Sequence, residues 1–148
     1  MSELQVVVFD LKGQLFGAET SQVFQIIKYS EPEKMPKMPK FIDGILSYRD
    51  TVLPVINLAK RFDLGETTVT KKTKILVTRI GKKYAGFIVS DVAEIARFAD
   101  EDVSVTPSVM NRETEAYLNR VCRKGEKLIS IVDLEKILSE TEIKKLSA

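Results

Sequence analysis

Apolar residues fall in short runs cut by glycine, proline and charged turns, and no long helix-forming segment separates them. Residues 4–11 (LQVVVFDL) are β-branched and aromatic, which suits a pleated sheet. Lys12-Gly13 predicts a turn, and residues 14–18 a return strand. Val23 to Tyr29 is a third apolar stretch, ended by Glu31-Pro32. Pro36 and Pro39 bar both a helix and a central strand, so residues 35–39 predict an extended surface connection. Residues 45–48 and 52–56 predict a hairpin about Arg49-Asp50-Thr51, with one side of the second arm unpartnered at Pro54. Asn57 is placed to cap a short helix over 58–62. Hairpins follow over 74–89, turning at Gly81-Lys82-Lys83, and over 116–132, turning at Lys124-Gly125. Between them Phe98 to Glu113 reads as a polar stretch broken at Pro107. Asp133 predicts a capped helix through Leu138, and residues 139–142 carry capping-box spacing for another.

The chain repeats itself. At an offset of 69, Val6-Val7-Val8 meets Ile75-Leu76-Val77, Gly17 meets Gly86, Ser21 meets Ser90, Val23 meets Val92 and Ile26 meets Ile95. At an offset of 76, residues 53–60 (LPVINLAK) meet 129–136 (ISIVDLEK), with the caps Asn57 and Asp133 in register. An insertion within Phe98–Glu113 accounts for the change of offset. The fold predicted is mainly β: two five-stranded barrels related by the repeat, with short helices at strand ends. They span roughly residues 5–66 and 72–140 within one domain, and strands can exchange between them.

Composition narrows the chemistry. The 148 residues include no His, no Trp and one Cys, which removes His-based triads, Cys–His dyads and nearly every zinc or iron site. No catalytic, metal or cofactor site is expected. A net charge of +2 predicts no strong polyanion field. No apolar run is long enough to span a bilayer, and the first residues lack the basic-then-apolar order of a signal peptide. A cytoplasmic protein without membrane insertion is expected.

The block from Met38 to Leu58, MPKFIDGILSYRDTVLPVINL, resembles the CheW-type coupling proteins of bacterial chemotaxis. Their pattern there runs Pro-x-Phe-Ile-x-Gly-Val-x-Asn-Leu-Arg-Gly-x-x-x-Pro-Val-x-Asp-Leu. Gly86 to Val89 with Val92, residues 128–134 (LISIVDL), and Phe9 to Ile27 resemble further signatures of that family. The resemblance implies two five-stranded SH3-like barrels and a non-catalytic scaffold. Its expected partners are the regulatory domain of the histidine kinase CheA and the cytoplasmic tip of methyl-accepting chemoreceptors. It also implies a partner surface at Val23, Gln25, Ile26, Tyr48, Arg49 and Asp50. The chain departs from the family at Ser47, Tyr48 and Asp50, where Asn, Leu and Gly are usual, at Gln25 for Glu, and at Ser90 for Asp.

Each candidate has a plainer reading. Arg49 is either a partner-binding fork of donors or a solvated turn residue. Cys122, near Arg120, Arg123 and Lys124, is either a reactive thiol or a packed strand residue, and packing is the reading adopted. Lys71, Lys72, Lys74, Lys82 and Lys83 suit phosphate contact or solvated turns. No aromatic residues interleave them, so the alternative of a small-barrel nucleic-acid-binding protein lacks its stacking platform. Glu101-Asp102 and Glu113/Glu115 read as solvated acids rather than an acid–base pair.

Overall fold

The computed structural model describes residues 3–105, 118 and 120–137. Its strands are β1 (Glu3–Leu11), β2 (Gln14–Glu19), β3 (Gln25–Lys28), β4 (Ile42–Tyr48), β5 (Thr51–Asn57), β6 (Lys74–Ile80), β7 (Lys83–Val89), β8 (Asp91–Ala99), β9 (Val103–Val105), β10 (Arg120–Lys124) and β11 (Lys127–Ile131). A one-turn helix, α1 (Leu58–Arg61), follows β5. Five strands form one sheet in the order β3-β6-β7-β5-β4, and six form the other in the order β8-β1-β2-β11-β10-β9.

The two orders carry the repeat. Under the offsets of 69 and 76, β6, β7, β5 and β4 correspond to β1, β2, β11 and β10, and β3 corresponds to β8. Equivalent strands therefore hold equivalent places. In the third strand of each half, chain order and sheet order part: β3 follows β2 in the chain but pairs with β6, and β8 follows β7 but lies beside β1. The chain clusters accordingly into a five-stranded unit, Phe9–Gln14 with Val23–Val92, and a six-stranded unit, Met1–Val8 with Leu15–Gln22 and Ala93–Ala148.

Each unit buries its own core. Leu53, Val55, Ile75, Val77 and Ile88 pack together in the five-stranded unit. Val6, Val8, Ala96, Phe98, Cys122, Ile129 and Ile131 do so in the other. A fully buried Leu, Ile or Phe contributes about 1.5–3 kcal/mol, so these inward-facing residues dominate the stability of each unit. Pro54 is accommodated as its chemistry requires. It faces Ile45 on the β4 side, and the parallel pairing with β7 begins only at Val55.

Three expectations change. Phe98 is not in a polar stretch: β8 runs to Ala99, and Phe98 is 4% exposed in the core. β9 then adds a sixth strand by pairing with β10, and the remainder of the stretch, 106–113, lies outside the described residues. Residues 134–136 form a turn rather than a helix. Gln22 Oε1 accepts from Leu134 N at 2.9 Å, and Gln22 Nε2 donates to Asp133 Oδ1 at 2.9 Å, so the cap is tied to another segment. The helix predicted from 139–142 lies outside the described residues.

Candidate partner-binding site

The β4–β5 hairpin closes with a two-residue loop, because Tyr48 pairs with Thr51 and only Arg49 and Asp50 lie between. Their φ angles are 47° and 61°. Positive φ at both central positions matches the right-handed twist of the flanking strands, and it is why Gly and Asp are favoured in such loops. Asp suits this geometry; Arg does not on its own account. Arg49 is held there by what its side chain touches.

The guanidinium carbon of Arg49 lies 5.1 Å from the centroid of the Phe24 ring and 5.6 Å from that of Tyr48. Its Nε donates to Tyr48 Oη at 3.2 Å. The Tyr48 hydroxyl donates in turn to Gln25 Oε1. Tyr84, near the start of β7, supports both rings, at 5.2 Å and 73° to Tyr48 and 5.3 Å and 52° to Phe24. Phe24 is fixed through its backbone, where N donates to Val77 O at 2.7 Å. Tilted and edge-on rings with a cation over their faces are favourable arrangements. Among the described residues no carboxylate pairs with Arg49; its guanidinium is held by the Tyr48 hydroxyl and the two ring faces.

The structure thus joins Tyr48, Arg49 and Gln25 in one contact network. Ile26 lies on β3 beside Gln25 and is 37% exposed. Val23 is half-buried just before β3, and Asp50 is exposed at the loop tip. Phe24 and Tyr84 are the residues that sequence reasoning passed over. The signal in the sequence is an aromatic, Phe24, set between Val23 and Gln25 of the expected partner surface; Tyr84 carries none.

Other candidates are absorbed by structure. Cys122 is buried, and burial pushes its thiol above the ordinary value of 9.0, with Arg120 opposing and Asp102 adding to the rise. An activated nucleophile shows the opposite shift. Lys74 Nζ donates to the carbonyls of Lys71 and Lys72 at 3.5 and 3.3 Å, which ties that cluster to its own turn. Asn57 Oδ1 accepts from Lys60 N at 3.2 Å as the α1 cap, and its Nδ2 donates to Asp43 Oδ2 at 3.1 Å. Lys60 Nζ also donates to Asp43 Oδ1 at 2.9 Å, and this bond is the main reason its pKa rises. These groups line a cavity of about 200 Å³ with their polar atoms engaged.

A CheW-like domain model matches residues 5–142. The chemotaxis protein CheW of Treponema pallidum (strain Nichols) is 29% identical over 149 residues, covering 98% of this chain and 88% of that protein. The chemotaxis protein CheW of Thermotoga maritima is 27% identical, covering 98% and 94%. The crystal structure of scaffolding protein TtCheW from Thermoanaerobacter tengcongensis superposes with a TM-score of 0.85 at 29% identity, covering 96% of this chain and 92% of that one. The chain belongs to the CheW-like domain family, and it is a chemotaxis adaptor.

Proposed function

We propose that this adaptor is non-catalytic and couples methyl-accepting chemoreceptors to the histidine kinase CheA. One face holds the kinase's regulatory domain and another the receptor's cytoplasmic tip, so that receptor state controls kinase activity. Such an adaptor works in the cytoplasm, beside a membrane it does not enter; among the described residues no helix is long and apolar enough to cross one. The observation that supports this reading most is the exposed Arg49 guanidinium, without a carboxylate partner among the described residues and held over the rings of Phe24 and Tyr48. A buried hydrogen-bonded Arg at the centre of an interface is a recurrent hot spot, because its planar fork reads carboxylates and carbonyls together. Gln25 and Asp50 stand beside it, Val23 and Ile26 lie on the segment next to Gln25, and the Tyr48 ring lies beneath the guanidinium.

The test is a pull-down with the kinase regulatory domain and a receptor tip fragment, offered separately and together. Retention of each alone, and of both at once, is expected. Failure to retain either overturns the coupling role. A single-stranded oligonucleotide serves as control and should not bind at physiological salt.

A further inference from the structure

The internal repeat supplies a second hairpin tip built on the same strand order, and the two tips differ in chemistry. The positions equivalent to Phe24, Gln25, Tyr48, Arg49 and Tyr84 are Ala93, Glu94, Lys124, Gly125 and Leu15. Lys124 Nζ pairs with Glu94 where Tyr48 bonds Gln25, so the cross-strand link persists in the second tip. Gly125 stands where Arg49 does, none of the three rings is kept, and the cation present, Lys124, is neutralised by Glu94. The link therefore serves the hairpin, whereas the rings come with Arg49.

From this, and resting on the coupling role proposed above, we infer that Tyr48, Tyr84 and Phe24 are positioning residues. They hold the Arg49 guanidinium in one orientation before a partner arrives. Tyr48 Oη is the pin: it accepts from Arg49 Nε and donates to Gln25 Oε1. With Nε engaged inward, the two terminal nitrogens remain for an acidic side chain of the partner. Tyr84 acts one step further back, through the rings of Tyr48 and Phe24. An Arg ordered in advance loses less side-chain entropy on binding, which is where the rings add affinity without touching the partner. Tyr48 replaces the Leu usual in the family, so this chain carries its own means of setting the Arg.

Titration of the kinase regulatory domain and of the receptor tip fragment against single and paired variants tests this. For whichever partner depends on Arg49, Tyr48→Phe, which keeps the ring and removes the hydroxyl, should weaken binding by about 3–10-fold, as loss of one hydrogen bond does. In an Arg49→Ala background the same change should shift affinity by less than about twofold, because a positioning residue has nothing left to position. Tyr84→Leu should weaken binding and Tyr84→Phe restore it, since the ring rather than its hydroxyl makes the contacts; this pair also guards against a Tyr48 variant that folds poorly. Equal losses for Tyr48→Phe with and without Arg49 would overturn the positioning role and leave the coupling role standing. If Arg49→Ala binds both partners like the native chain, the site assignment fails, and the positioning role with it.

Discussion

Gly86 on β7 lies opposite Val55 on β5 in the parallel register of the five-stranded sheet. A Cβ at Gly86 would lie 2.8 Å from Ile75 Cγ2 and 3.2 Å from Leu53 Cδ2. Gly17, its repeat equivalent, lies opposite Ile131, and a Cβ there would lie 2.3 Å from Val6 Cγ1. The same packing solution is used twice, with different clearance.

Gly86→Ala should therefore destabilise by about 1–3 kcal/mol, the cost of overpacking a filled core, and Gly17→Ala should cost more. Urea unfolding curves for the two variants read the order directly. Equal and negligible losses would show that neither glycine is needed for close packing.

How far the sequence carried the reading differs by feature. Strand runs, turn glycines and the Asn57 cap were legible, because each depends on near neighbours in the chain. The repeat was legible too, since Gly17 and Gly86 mark the same crowded position. Which sheet takes β3 and which takes β8 was not, because that choice is made by pairing with strands far off in the chain. β9 has no clear sequence signal, being three residues in a polar context. At the site, Arg49, Tyr48 and Gln25 were reached through family resemblance. The Phe24–Tyr84 platform was not, because its contacts run through space between β7 and the segment leading into β3.

Cys122→Ser should leave partner affinity within about twofold and reduce stability by about 1–2 kcal/mol, since a hydroxyl replaces a buried thiol in an apolar core. The native thiol should resist a disulfide reagent at pH 8 until the chain is unfolded. Its raised folded-state pKa has a defined sign: the neutral thiol's contribution is complete below the unfolded pKa, near 9.0, and is lost as pH rises through the higher folded value. Chemical denaturation from pH 8 to 10.5 should show that loss, and Cys122→Ala should reduce it.

Asn57→Ala removes the α1 cap and the donor to Asp43 together, and Asn57 is 3% exposed. A loss of about 1–3 kcal/mol is expected from a buried cap of this kind. Thermal melting measures it. An unchanged melting temperature would mean that α1 is held by Leu58 and Ala59 packing alone.

Asp50→Gly restores the residue usual in the family at a position with φ of 61°. Relief of the Cβ penalty is partly offset by the freer unfolded chain, so a gain of up to about 1 kcal/mol is expected. Destabilisation instead would point to a structural role for the Asp50 carboxylate.

The proposed coupling role rests on the Arg49 tip as the binding surface. Calorimetric titration of native chain, Arg49→Ala and Arg49→Lys with the kinase regulatory domain and with the receptor tip fragment tests it most directly. Arg49→Ala should lower affinity for at least one of them by about 1–3 kcal/mol while the melting temperature barely moves. Arg49→Lys should recover part of the loss, because an ammonium keeps the charge without the planar fork. Native affinity of Arg49→Ala for both partners would show that the tip is not the binding surface.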